Sequence, residues 1–248
     1  MKTSMLCLSV LLSVNTLFAQ DQLTTLLYRA YLINNSTTQG ELKTAEKQQR
    51  ELVKADPKNI SKRYTLALIQ WNLLNASMRT QDEKLFDEYY SDMIDNIDEL
   101  LDLDNKHAEA YALQSSAYGL KINYSPMQGM FLGPKSSSLI EKAKKMNGQS
   151  ALIWKIYASS KLFTPEMWGG DTKEAIKAYE TAVKLYESKP ESLEKNWEYL
   201  DALAFLGQSY LKDEQAKKAI ATYEKALQVE PEFNFVKKIL LPKANNNL

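Results

Sequence analysis

The stretch Leu200-Asp-Ala-Leu-Ala-Phe-Leu-Gly-Gln-Ser-Tyr210 followed by Leu-Lys-Asp-Glu-Gln-Ala-Lys-Lys-Ala-Ile-Ala-Thr-Tyr-Glu-Lys-Ala-Leu-Gln-Val-Glu-Pro231 decides the fold. Leu203, Leu206, Gly207 and Tyr210 recur at the spacing of one helical face. After a turn at Asp213, Ala219, Tyr223 and Ala226 mark a second helix, which Pro231 stops because the residue before proline is biased away from helical geometry. Small residues at 207, 219 and 226 allow two antiparallel helices to approach closely, and Leu203, Tyr210 and Tyr223 fill the space against a neighbouring pair.

Outward from this unit, helix-ending positions recur at Pro57, Asn105, Gly148, Pro190 and Pro231, at separations of 48, 43, 42 and 41 residues. First helices are expected around Tyr64–Trp71, Tyr111–Tyr118 and Trp154–Ala158. Their second helices carry Met93, Ile97 and Leu100; Ile140 and Ala143; and Ala175, Tyr179 and Ala182. An N-terminal pair is expected at about 23–34 and 40–54, and Phe233, Val236 and Leu240 predict a final covering helix. Thr38 with Glu41, Thr80 with Glu83, and Asp171 with Glu174 have the spacing of capping boxes. No β-branched alternation points to a sheet.

The unit at 200–231 resembles the tetratricopeptide repeat (TPR), whose Trp, Leu-Gly, Tyr, Ala, Phe, Ala, Pro pattern it matches gap for gap, with Leu203 in place of Trp and Tyr223 in place of Phe. The resemblance implies an all-α, right-handed helical-repeat solenoid of about five antiparallel helix pairs plus a C-terminal capping helix. The other units exceed the usual period of about 34 residues and carry insertions. The repeats with Ser-Pro-Met and Thr-Pro-Glu insertions resemble exported TPR proteins of Bacteroidetes-type bacteria. They are more distantly similar to the periplasmic TPR subunit of TRAP transporters, although the lipobox of that relative is not present.

Residues 1–19 read as a signal peptide: Lys2, a short apolar run from Met5 to Val14, and Ala19 before the expected cleavage. The repeat domain then spans 20–248, in the periplasm or outside the cell. No second apolar stretch reaches spanning length. The only cysteine, Cys7, lies within the signal. Basic and acidic residues number 31 each, and loss of Lys2 leaves 30 against 31, so nothing supplies the cationic surplus that nucleic-acid binding uses.

Chemistry is sparse. His107 is the sole histidine and is expected at a helix start. The acidic run Asp92, Asp95, Asp98, Glu99, Asp102, Asp104 lacks the glycine and terminal glutamate of a calcium loop and reads as a solvated face. Gly169-Gly170 has no following Gly-Lys-Ser/Thr element. No catalytic, metal or cofactor residue is assigned, and the chain reads as a non-enzymatic protein-interaction scaffold.

Two insertions, 124–134 and 163–170, stand out for Met and aromatic content where connections are usually polar. They either fold back to seal neighbouring pairs or form one apolar site from Tyr124, Met127, Met130, Phe131, Met167 and Trp168. The occupant would be a protein or peptide or, as an alternative, an apolar small molecule. TPR spacing further implies a concave face lined by Lys62, Thr65, Asn72, Ser116, Lys155, Asp201 and Gln208.

Overall fold

The computed structural model describes residues 21–247, and the expected signal segment at 1–19 lies outside them. Every regular element among the described residues is helical. Helix α1 covers 21–33. It is followed by α2 (Ser36–Ala55), α3 (Ile60–Thr80), α4 (Glu83–Leu103), α5 (Ala108–Tyr124), α6 (Gly129–Met146), α7 (Ala151–Phe163), α8 (Thr172–Glu187), α9 (Trp197–Lys212) and α10 (Ala216–Val229). A π-helical turn at Val236–Leu240 leads into α11 (Leu241–Asn245).

The helices pack as antiparallel pairs, α3 on α4, α5 on α6, α7 on α8 and α9 on α10, and successive first helices α3, α5, α7 and α9 stack side by side. This is the expected solenoid. Ala110, Ala112, Ala117, Ala143, Ala158, Ala175, Ala182, Ala219 and Ala226 are fully enclosed at the close approaches, with Leu, Ile and Tyr between them. Phe233, Val236 and Leu240 are buried, as a covering segment requires.

Two of the three expected caps are corrected. Helix α2 starts earlier: Asn35 is its cap, accepting from the Thr38 amide at 3.0 Å, and Thr38 serves as the returning partner through Oγ1. At α4 the cap is Asp82, which accepts from the Leu85 amide at 3.0 Å, while Thr80 ends α3 and bonds back to the Ala76 carbonyl. In both places an Asn or Asp stands at the residue just before the first helical one and its side-chain oxygen takes the capping role. Asp171 caps α8 as expected, accepting from the Glu174 amide at 2.9 Å, but Glu174 turns its carboxylate to Tyr157 and Lys161 instead of returning to the cap.

The segment 124–134 is shorter as a connection than expected. A 3₁₀ turn occupies Pro126–Gln128 and α6 begins at Gly129, so Met130 and Phe131 are helical. Pro134 lies inside α6 as its sixth residue and forgoes the amide bond back to the preceding turn.

Candidate functional site: a closed concave face and an apolar edge

Of the residues expected on an open concave groove, Asn72 and Lys155 are buried, and Lys62, Thr65, Ser116, Asp201 and Gln208 are half-buried. Lys155, on α7, is only 2% exposed and donates to Asp201 Oδ2 on α9 at 3.1 Å. Its ammonium lies 4.8 Å from the Trp71 ring centre and 4.3 Å from that of Trp197. The two indoles meet at 5.4 Å, joining α3 to α9 across the concave side. Asn72 is buried, and Ser116 accepts from the Trp71 indole N–H at 2.9 Å. Helix α1 closes what remains: the Tyr31 ring packs, tilted, at 5.2 Å from that of Trp197 and 5.6 Å from that of Phe233. Arg79 donates to the Tyr31 carbonyl at 2.8 Å, and Tyr28 donates to Glu230 at 2.7 Å. A groove in the sense the repeat pattern implies is therefore not open to a partner over this region.

Burial sets the electrostatics of this centre. It lifts the Tyr31 hydroxyl well above the usual phenol range, reinforced by the Asp201 charge. Glu198, whose carboxylate accepts from Tyr186 at 3.1 Å, is raised above the ordinary carboxylate value, first by burial, with Lys155 pulling the other way. A carboxyl raised on folding favours the native state below the unfolded value near 4.5 and loses that advantage as pH climbs through the folded value. Glu198→Gln is accordingly expected to raise the melting temperature at neutral pH, and the gain should vanish below about pH 4, where the acid is protonated in both states. Melting curves across that range check it; a gain that persists at low pH would point to packing as its origin.

The apolar edge has a different character. Helices α5 and α7 are adjacent, and the chain leaves the end of each through one of the two turns, so both turns stand on the same edge. Met127, Met130, Phe131, Met167 and Trp168 are between 67% and 91% exposed. These side chains do not seal the helix pairs. Tyr124 parts from them: it turns inward onto Phe86, with ring centres 4.7 Å apart, and belongs to the packing of α4 and α5. Phe163, at the end of α7, is also exposed and meets Phe205 edge-on at 5.4 Å.

The second turn is firmly built. The Gly170 amide donates to Pro165 at 3.1 Å and that of Asp171 to Lys161 at 3.0 Å, while Gly169 takes a φ of +93° that favours glycine. At Gly170 a Cβ would lie 2.7 Å from the Thr164 carbonyl carbon, so the chain passes there only without a side chain. The apolar tip is thus held out by backbone that has little freedom to fold it back.

His107 is the cap of α5, its Nδ1 accepting from the Ala110 amide at 3.3 Å, and its ring packs on Tyr64. Within the acidic run Asp92 pairs with Arg50 of α2, Glu99 pairs with Arg63 of α3, and Asp98 accepts from Gln114 of α5. Among the described residues no group of three or more His, Cys, Asp or Glu is gathered as a metal would need, and no helix is long and apolar enough to cross a membrane.

The tetratricopeptide-repeat family pattern matches residues 200–233. No curated protein matches the sequence. Among solved structures, the chain is similar to TTC0263, a thermophilic TPR protein of Thermus thermophilus, at 17% identity and a TM-score of 0.59, covering 84% of this chain and 91% of that one. It is also similar to the HusA haemophore of Porphyromonas gingivalis, at 18% identity and a TM-score of 0.58, over 75% of this chain and 92% of that one. At these identities the likeness is one of fold.

Proposed function

We propose that this chain, whose residues 200–233 match the tetratricopeptide-repeat pattern, is a non-enzymatic interaction scaffold of the cell envelope, exported by its first 19 residues, which receives a protein partner on the apolar edge. The exposure of Met127, Met130, Phe131, Met167 and Trp168 on one edge carries this reading. Contiguous apolar surface on a soluble chain marks contact sites, methionine adapts to varied apolar partners, and tryptophan is a favoured anchor. Closure of the concave face by Trp71, Lys155, Trp197 and Tyr31 directs binding away from the usual groove. Use of His107 Nδ1 in a helix cap supports a non-catalytic role for the one histidine.

Trp168→Ala tests the edge. Its side chain stands mostly in solvent, so the melting temperature should hold while capture of the partner from native envelope extract weakens by at least about 2 kcal/mol, the mark of an interface hot spot. A lowered melting temperature with capture intact would reverse the assignment and make the turn a packing element.

A second reading, a carrier of an apolar small molecule, draws on the fold shared with a protein described as a haemophore. Mass spectrometry of natively purified material separates the two readings, since one expects a co-purifying polypeptide and the other a co-purifying small molecule.

A further inference from the structure

A cavity of about 400 Å³ opens between the ends of α7 and α9 and the covering segment, away from the closed centre. Leu162, Leu211 and Leu240 form apolar walls, and Phe163 stands at its margin. The polar groups around it are two amides and two ammonium groups. Gln208 contributes an amide whose Nε2 is shut away from solvent and meets no hydrogen-bond acceptor among the described residues. Lys212 and Lys243 contribute ammonium groups, Asn247 a second amide whose Nδ2 donates to the Lys243 carbonyl at 2.6 Å, and no Asp or Glu among the described residues lines the space. Neither lysine is in a salt bridge with a described residue. Lys212 Nζ is positioned by donating to the Leu162 carbonyl at 3.2 Å, which leaves two of its three protons free.

The covering wall is irregular for a physical reason. Pro242 has no N–H to return to the preceding turn and its ring crowds the carbonyl four residues back. The helix therefore widens into the π turn Val236–Leu240 just before it. Such widened turns are frequent at functional sites, and this one ends on Leu240, a wall of the cavity.

We propose that this cavity is a binding site for a small amphipathic anion, an apolar monocarboxylate of medium chain length. The tail lies against Leu162, Leu211 and Leu240, and the carboxylate lies between Lys212 and Lys243. Rotation of the Gln208 side chain presents its unpartnered N–H to the same carboxylate. A buried donor without a partner is costly in a folded protein and calls for an acceptor. A volume near 400 Å³ is at the lower end of small-molecule sites and suits a slender ligand. The site meets the Met-rich turns only at Phe163, and it stands whether or not that edge receives a protein.

Calorimetric titration of the full mature chain with decanoate tests the site, with decanol, octanoate and acetate as comparisons. Decanoate should bind at one site, more tightly than octanoate by about fourfold for each added methylene, and acetate should give no heat. Decanol, which lacks the charge, should bind at least about tenfold more weakly. The double variant Lys212→Met, Lys243→Met should lose the preference for decanoate over decanol. Gln208→Leu should weaken decanoate while leaving melting unchanged or raised, since it removes the unpartnered amide. Because the lysine heads sit at the surface, the double variant is expected to fold, and circular dichroism verifies this before titration. Equal binding of decanoate and decanol, or decanoate binding that Trp168→Ala abolishes and the lysine pair does not affect, overturns the proposal and assigns the uptake to the exposed edge.

Discussion

Lys155→Ala is expected to lower stability by about 3–5 kcal/mol, the cost typical of removing one partner from an enclosed ion pair. The substitution leaves Asp201 without the ammonium it accepts from at 3.1 Å and removes the neighbouring charge that holds down the Glu198 carboxyl. It also takes away the alkyl stem and cation that lie between Trp71 and Trp197. Urea unfolding followed by far-ultraviolet circular dichroism reads the loss directly. Lys155→Met separates packing from charge, because it keeps most of the stem. Combined with Asp201→Asn it should recover a large part of the stability, since replacing both charges is far less costly than orphaning one. If Lys155→Ala costs under about 1 kcal/mol, the pair behaves as a surface salt bridge and the closed centre is not closed in solution.

Gly207→Ala should be nearly as damaging, at about 3 kcal/mol, the upper part of the range for overpacking. A Cβ at this position would lie 2.6 Å from Cζ and 2.8 Å from Cδ1 of Tyr223. That ring is fully enclosed between α9 and α10, so it has no open direction in which to move. The second-site change Tyr223→Leu removes the ring atoms that the methyl meets and should restore part of the loss when combined with Gly207→Ala. It removes no hydrogen bond, because the Tyr223 hydroxyl is buried without a partner among the described residues. An unchanged unfolding midpoint for Gly207→Ala alone would mean that the two helices are farther apart than the ring contact requires.

The close pair formed by α9 and α10 is legible in the sequence because its constraints are local. Gly207, Ala219, Ala226 and Pro231 all act within one helix pair, and their spacing records how near two backbones come. The centre is not legible in the same way. Repeat spacing alone places Lys155 and Asp201 on an open face, because it specifies the side of a helix and carries no information about how tightly the array curves. Trp197 lies at the start of α9, before the repeat pattern begins, and so no repeat position points to it. One local signal does exist: Lys155 is a lone charge within Leu152-Ile-Trp-Lys-Ile-Tyr157, an apolar run that leaves it few solvated directions. The edge is legible in composition but not in register, since the sequence shows that Met130 and Phe131 are unusual in a connection without showing that α6 has already begun at Gly129. Proximity in the chain groups Tyr124 with them, whereas its ring is drawn inward by Phe86, 38 residues earlier.

Contacts between Tyr28 and Glu230, and between Tyr31 and both Trp197 and Phe233, bring the first described helix against the last part of the chain. In an open array each unit touches only its neighbours, so units can be gained or lost by duplication and deletion with the rest left intact. Here the number of units is part of the geometry. One more pair would carry Phe233 out of reach of Tyr31, and one fewer would leave Trp71 and Trp197 without the rise and rotation that bring them together. Lineages that carry this chain should therefore vary in the lengths of their turns far more readily than in the number of their repeats.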